Sequence, residues 1–293
     1  MMRLFFIFLS VIFFGLTNFL KAQDMLSTLD SGDVKTNDFA SATFKTTRLV
    51  NLHTLETVGP RTLDFRISHR FGAINSGSYN AWGIDGPANI RLSLEYSPDG
   101  RFMFGIGRSS FEKMDDGFLK YRLLRQHSNG GMPVSVTLFT SIFYTAQKTI
   151  IGGIDKYEFR SSRFSYTHQV IIGRKFTPSF SLQVAPWYVH YNLADKISDK
   201  NDVIGISGAT RIKFAKRAAI TAEYSYRVNT YTNQTFYDSF GLGLEIETGG
   251  HVFQIVLTNS FGLVENQFLA HTNSRWNNAG IRIGFNISRV FTL

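Results

Sequence analysis

The stretch DGFLKYRLL, residues 116–124, alternates apolar and polar side chains with a period of two. In an extended strand, Leu119 and Tyr121 lie on one face, and Lys120 and Arg122 lie on the other. A soluble sheet would expose the cationic face to water, whereas a closed barrel in lipid would turn it inward. A cation on the lipid face near the bilayer midplane costs about 2–4 kcal/mol, so a membrane barrel must place both cations in its lumen.

The same alternation recurs along most of the chain. It covers residues 42–51, 62–71, 89–96, 101–107, 116–124, 133–147, 163–173, 179–192, 202–214, 218–228, 239–248, 251–259 and 279–291. Most of these segments are about ten residues long. A tilted membrane-spanning strand needs about 9–11 residues, whereas ordinary globular strands average about 5–6. Residues 260–270 have a different pattern, which predicts a short helix or a loop.

These segments predict an all-β fold, an antiparallel up-and-down transmembrane β-barrel of about 12 strands, within a range of about 10 to 14. Single-chain bacterial barrels contain an even number of strands, which favours 12. Closure is expected because an open sheet edge would leave unpaired backbone groups in lipid. The alternative from the same alternation is a soluble exported β-sandwich that acts as a binding protein.

The N-terminus has the features of a secretory signal. Arg3 precedes an apolar run at residues 4–16, and Ala22 provides a small residue at the cleavage position. The expected organisation is a signal peptide at 1–22, a short periplasmic segment at 23–42 and an outer-membrane β-barrel at 43–293. Cysteine is absent, which excludes disulfides and thiolate metal sites. The net charge of +9 is more consistent with a cationic lumen or acidic lipid than with nucleic acid in an exported chain.

Charged residues on the polar faces of the predicted strands are candidate lumen-lining residues. They are Arg66, Arg70, Arg91, Glu95, Lys120 and Arg122. They form either a structural salt-bridge network or an anion-selective lining. The Gly-, Ser- and Asn-rich stretch at 75–87 is long enough to fold inward, and we predict it to be a plug loop carrying Trp82 and Asp85.

Several motifs resemble a family of bacterial outer-membrane β-barrels designated domain of unknown function 5777. GPANIRLSLEY (86–96), GIGRSSFEK (105–113) and DGFLKYRLLRQ (116–126) carry the resemblance, and TFKTTRLVNLHT (43–54) with LDFRISHRFG (63–72) resembles the opening hairpin of the family. The resemblance extends from residue 43 to the end. It implies an outer-membrane barrel, and it implies no substrate, reaction or catalytic residue.

The last predicted strand resembles the assembly signal of bacterial outer-membrane barrels. Gly280, Ile283 and Phe285 occupy its glycine and hydrophobic positions, and Phe291 is the aromatic residue near the chain end. The expected partners are therefore outer-membrane lipid, the barrel-assembly machinery and a periplasmic protein. We expect a monomer that binds no nucleic acid.

A channel or transport-associated barrel with a charged lumen is the function that these features favour. The alternative is a barrel enzyme acting on lipid, which would need a His-Ser-acid cluster converging at one rim. The seven histidines are dispersed, and neither HExxH nor GxSxG is present. The sequence therefore predicts no catalytic, metal or cofactor site.

Overall fold

The computed structural model describes residues 39–128, 130–194, 199–229 and 235–293. The predicted signal peptide at 1–22 and residues 23–38 of the predicted periplasmic segment lie outside the described residues.

The described chain forms a closed antiparallel barrel of twelve strands, which confirms the predicted fold class. The strands are β1 (Thr62–Ala73), β2 (Asn89–Ser97), β3 (Phe102–Ser109), β4 (Met114–Leu124), β5 (Ser135–Thr145), β8 (Phe164–Thr177), β9 (Phe180–Tyr191), β10 (Asp202–Ala215), β11 (Ala218–Arg227), β12 (Ser239–Thr248), β13 (His251–Thr258) and β14 (Arg282–Thr292). Each strand pairs with the next along the chain. β14 closes the sheet on β1, with Phe291 opposite Leu63 and Ile287 opposite Ile67.

The connections contain the remaining elements. A two-stranded ribbon, β6 (Ile150–Ile151) and β7 (Ile154–Asp155), lies between β5 and β8. Helix α1 (Glu265–Ala270) lies between β13 and β14, within the predicted segment 260–270. Short 3-10 helices occupy Ile74–Ser76, Ser78–Gly83, Phe111–Lys113 and Arg160–Arg163. No helix of the described residues is long and apolar enough to cross a membrane.

The barrel has an inside-out distribution of side chains. Arg66, Arg91 and Lys120 are at most 1% exposed, whereas Ile106 on β3 is 65% exposed and Ile204 on β10 is 44% exposed. Charged residues are almost never fully buried in soluble proteins unless they are paired. Apolar side chains that point outward along every strand are typical of a surface in contact with lipid.

The predicted first strand at residues 42–51 is wrong. These residues form no barrel strand; most of them are buried inside the barrel, ahead of β1. The first barrel strand begins at Thr62. The twelve other predicted strand segments all correspond to barrel strands.

The outer face of β3 provides a test of membrane contact. We expect Ile106→Arg to lower the free energy of unfolding in phospholipid vesicles by about 2–4 kcal/mol, because it places a cation against lipid. The matched control is Ile150→Arg in the β6–β7 ribbon, where the side chain is 61% exposed and should tolerate the charge. Denaturant titration of both variants makes the comparison, and equal losses would contradict the membrane assignment of this face.

Candidate functional site

Residues 43–58 fold into the lumen, and we call them the lumen hairpin. The Ala40 amide donates to the Gln126 carbonyl at 2.8 Å, and the Arg61 amide donates to the Pro98 carbonyl at 3.3 Å. Gln126 and Pro98 belong to the connections that join β4 to β5 and β2 to β3. The chain therefore enters and leaves the lumen at one rim of the barrel, which we call the N-terminal rim.

Apolar side chains of the lumen hairpin pack against one sector of the inner wall. The hairpin side chains that do so are Phe44, Leu49, Leu52, Leu55 and Val58. They share a core with the inward-facing wall residues Met103, Phe118, Phe139, Ile171, Ala185, Trp187, Val189, Val203 and Ala209. This apolar sector is contributed by β3 to β10.

Lys120 holds the hairpin through its main chain. The ammonium Nζ lies 3.2 Å from the Thr47 carbonyl, 3.0 Å from the Thr54 carbonyl and 2.9 Å from the Glu56 carbonyl. These three acceptors use the three protons of the ammonium group. Lys120 thus ties together both arms of the hairpin.

Glu223 and Arg70 contact the tip of the hairpin. The two carboxylate oxygens of Glu223 accept from the Asn51 amide at 2.8 Å and from the Leu52 amide at 3.0 Å. Arg70 Nη2 donates to the Val50 carbonyl at 2.6 Å. Hydrogen bonds to charged groups contribute about 1.5–3 kcal/mol each, so these contacts contribute strongly to docking of the tip.

Gln183 and Thr137 contact the returning arm. Gln183 Nε2 donates to the His53 carbonyl at 2.8 Å, and its Oε1 accepts from the Leu55 amide at 3.2 Å. The Thr137 hydroxyl donates to the Leu55 carbonyl at 2.8 Å. Gln183 and Thr137 thereby supply donors to two carbonyls and an acceptor to one amide of this arm.

Glycines make room for the hairpin where it touches the wall. A Cβ atom on Gly241 would lie 2.8 Å from Val50 Cγ1, and one on Gly173 would lie 2.4 Å from Leu55 Cδ2. Both distances are too short for a real side chain to be accommodated without a shift. The inner wall is therefore shaped to the hairpin as well as bonded to it.

The opposite mouth is filled by residues 259–272 of the connection between β13 and β14, and we call this segment the inward loop. Helix α1 lies in this loop, and all six of its residues are buried. The Asn266 side chain donates to the Ser165 hydroxyl at 2.9 Å, and Arg227 Nη1 donates to the Ala270 carbonyl at 2.6 Å. The lumen is therefore occupied from both ends.

The lumen hairpin and the inward loop meet at Glu265. Arg48 Nη1 lies 3.0 Å from Glu265 Oε1, and His53 Nε2 lies 3.6 Å from the same oxygen. Burial and the neighbouring Arg48 and Lys120 cations hold the pKa of His53 well below its ordinary value, and burial raises the pKa of Glu265. Among the described residues, neither ring nitrogen of His53 has a hydrogen-bond partner. The His53 imidazole at this junction is therefore buried without a hydrogen bond.

The structure places all six predicted lumen residues on the inner side of the wall. Arg66, Arg70, Arg91, Glu95 and Lys120 are at most 1% exposed, and Arg122 is partly buried. Their ionic partners include Asp64 for Arg66 at 3.1 Å, Asp116 for Arg91 at 2.5 Å and Glu56 for Arg122 at 2.9 Å. The residues are brought together as a paired network around the hairpin, and their effect on ion selectivity stays a prediction.

The predicted plug loop is wrong. Trp82 is 59% exposed and Asp85 is also exposed, so this loop projects from the end of β1 and leaves the lumen to other segments. Composition alone could not distinguish an inward from an outward loop. A signal for the true plug was present, since Leu49, Leu52, Leu55 and Val58 recur every three residues, which departs from the strand period of two.

The predicted assembly signal maps to the last strand and the residues before it. Ile283, Phe285 and Phe291 lie in β14, which pairs with β1, and Gly280 precedes the strand. Recognition by the assembly machinery stays a prediction.

Two exposed histidines of the described residues contact an acid and a hydroxyl separately. The His190 imidazole lies 2.7 Å from Asp202, while the hydroxyl within 2.9 Å of His168 belongs to Thr140. Acid and hydroxyl thus contact different imidazoles, and both pairs lie on exposed surface. Among the described residues, no group of three His, Asp or Glu side chains is arranged to hold a metal ion.

The fold and its lumen define a membrane β-barrel. The chain belongs to the family of membrane-bound beta barrel domains designated DUF5777, whose profile matches residues 44–291. The match begins within the lumen hairpin rather than at β1, so the hairpin is part of the family domain. No curated protein matches the chain in sequence.

Several solved barrels are similar to this chain. A KdgM porin is 12% identical, with 78% of this chain and 99% of that chain covered and a TM-score of 0.44. Outer membrane phospholipase A from Escherichia coli is 12% identical, with 78% and 92% covered and a TM-score of 0.44. An outer membrane channel from Pseudomonas putida F1 is 14% identical, with 81% and 98% covered and a TM-score of 0.44. At these values the similarities carry no argument about function.

Removal of the Lys120 ammonium tests how the hairpin is held. We expect Lys120→Met to speed hydrogen exchange of the amides at residues 44–58 by roughly ten- to a hundredfold, because three buried carbonyls lose their shared donor. Exchange followed by mass spectrometry on the protein in nanodiscs measures this change. Arg108→Met is the control, since Arg108 pairs with Asp115 on exposed surface. Unchanged exchange in Lys120→Met would contradict the assigned role.

The pH dependence of hairpin docking should reflect His53. Because the pKa of His53 is lowered in the closed lumen, release of the hairpin takes up a proton once the pH is below about 6.5. Docking is therefore at full strength above that pH and weakens as the pH falls. The raised pKa of Glu265 acts in the opposite direction, so the comparison is made in a Glu265→Gln background.

A spin label on Lys45→Cys can report this change, since Lys45 is partly exposed where the chain enters the hairpin. We expect its mobile fraction to rise between pH 7.5 and 5.5, and to stay constant when His53→Gln is added. A label on Gly250→Cys, in the β12–β13 turn, controls for general effects of pH. An equal response with and without His53 would assign the titration to another group.

Proposed function

We propose that this protein is an outer-membrane transport channel whose lumen hairpin serves as its gate. The proposal is carried by the observation that both ends of the hairpin lie at the N-terminal rim. A hairpin placed in this way can withdraw as a unit, with no segment to be threaded through the barrel.

The barrel does not need the hairpin to close its sheet. The hydrogen-bonded ladder runs through all twelve strands and is completed by β1 and β14. Withdrawal would therefore break side-chain contacts in the lumen and leave the inter-strand bonds intact. Water could then take over the polar contacts of wall groups such as Lys120 and Glu223.

In this proposal the lumen hairpin and the inward loop move together. Arg48 and His53 of the hairpin contact Glu265 of α1. Withdrawal of the hairpin would leave the Glu265 carboxylate buried without its cation, which is costly in a low-dielectric interior. The inward loop would then move as well, and both mouths would open together.

The lengths of the connections support the orientation. Two-residue turns, such as 178–179 and 216–217, lie at the N-terminal rim, and long connections, such as 146–163 and 259–281, lie at the other. Outer-membrane barrels have short periplasmic turns and longer extracellular loops. In this orientation the hairpin would withdraw into the periplasm, where a protein partner could bind it.

A disulfide across the hairpin and the wall tests the gate. The chain has no cysteine of its own, and a Cβ atom on Gly241 would lie 3.0 Å from Val50 Cβ. A disulfide needs a separation of about 3.5–4.5 Å, so Val50→Cys with Gly241→Cys requires a shift of about half an ångström. We expect the oxidised double variant to be silent in planar bilayers and the reduced protein to show discrete conductance steps.

The single variant Val50→Cys, treated with the same reductant, is the control. Its conductance should not change on reduction, because it has no second thiol to lock the hairpin. Equal currents before and after reduction of the double variant, including silence in both states, would contradict the gate.

A further inference from the structure

The wall side chains that hold the lumen hairpin bond chiefly to its backbone. Those that reach main-chain atoms of residues 47–57 are Arg70, Lys120, Arg122, Thr137, Gln183, Glu223, Gln254 and Asn286. Main-chain groups are common to all polypeptides. Contacts of this kind therefore depend little on the sequence of the segment that they hold.

These wall contacts supply hydrogen-bond acceptors to peptide amides and donors to peptide carbonyls. Glu223 accepts from two consecutive amides, those of Asn51 and Leu52. Gln183 donates to the His53 carbonyl and accepts from the Leu55 amide, two residues further on. A fatty acid lacks the donors for Glu223, and it would leave that buried carboxylate unsatisfied.

The site combines these polar wall contacts with the apolar sector of the wall. Phe118, Phe139 and Trp187 face the lumen, where a channel that conducts only water and ions would have polar residues. In the closed state, Leu52 and Leu55 of the hairpin cover this sector. A peptide that folds back as the lumen hairpin does, and that carries apolar side chains, matches the polar wall contacts and the apolar sector at once.

We propose that the open lumen binds an unfolded polypeptide segment with apolar side chains, and that the lumen hairpin is a built-in copy of this ligand. The inference rests on the proposed function, because a ligand can enter only when the hairpin has left. It assigns Lys120, Gln183 and Glu223 as main-chain ligands of the peptide and the apolar sector as the site of its side chains.

The test uses a full-length variant in which the resident hairpin is weakened and the wall is intact. Leu55→Asp places a carboxylate against the apolar sector, and Ile150→Asp in the exposed ribbon is its matched control. Binding of fluorescein-labelled TTRLVNLHTLET, the sequence of residues 46–57, is measured by anisotropy in nanodiscs. We expect binding to Leu55→Asp at least tenfold tighter than to Ile150→Asp, where the native hairpin competes.

Two further peptides test the basis of recognition. N-methylation of the amides that correspond to Asn51 and Leu52 removes both donors to Glu223, and we expect it to weaken binding at least tenfold. A twelve-residue peptide of alternating serine and leucine should bind within about tenfold of the native sequence. If only the native sequence binds, the hairpin is a dedicated part of the fold and the inference is overturned. Equal binding of the N-methylated peptide would also overturn it.

The two proposals can fail separately. Conductance of Leu55→Asp without peptide reports on the gate, whereas anisotropy reports on the ligand. A variant that conducts and binds none of the peptides refutes the ligand class and leaves the channel standing. If Leu55→Asp does not fold, Leu52→Asp replaces it, because Leu52 is buried in the same apolar core and its substitution leaves every wall side chain unchanged.

Discussion

Every backbone amide and carbonyl that is buried away from water needs a hydrogen-bond partner, and this requirement applies both to the barrel wall and to the lumen hairpin. In the wall, the requirement is met by closure of twelve strands, with β14 bonded to β1. In the lumen, the chain carries a second set of buried amides and carbonyls, those of the lumen hairpin, which no strand can pair. Charged and amide side chains of the wall do so instead, and this explains why residues such as Lys120 and Glu223 are fully buried inside a membrane protein.

Charged side chains in the lumen serve this requirement by pairing with backbone groups of the hairpin. A carbonyl can be met only by a donor and an amide only by an acceptor, so Arg70 and Lys120 face carbonyls of the hairpin and Glu223 faces its amides. The remaining charges pair with each other, as Arg91 does with Asp116. The excess of positive charge in the sequence therefore does not by itself indicate an anion pathway.

The strands were predictable because their signal is local. Alternation over about ten residues identified all twelve, including β1 and β14, which close the barrel. The segments that fill the lumen could not be predicted in this way. Residues 42–51 show the same alternation as the strands, but contacts from distant strands hold them inside the barrel. Lys120 could be assigned to the lumen, yet its three acceptors at Thr47, Thr54 and Glu56 depend on a hairpin that only the folded chain creates. The prediction that the loop carrying Trp82 plugs the lumen was wrong for the same reason, because the space that other segments leave decides whether a loop is buried.

The direct continuation of the lumen hairpin into β1 makes it a tethered competitor. A segment joined to its site by a few residues acts at an effective concentration in about the millimolar range. A free molecule that binds the same wall groups can displace the hairpin only if its concentration is above this value or its affinity for the wall is higher than that of the hairpin. Closure is thus the more populated condition of the barrel, and another molecule occupies the lumen only during the intervals in which the hairpin is withdrawn.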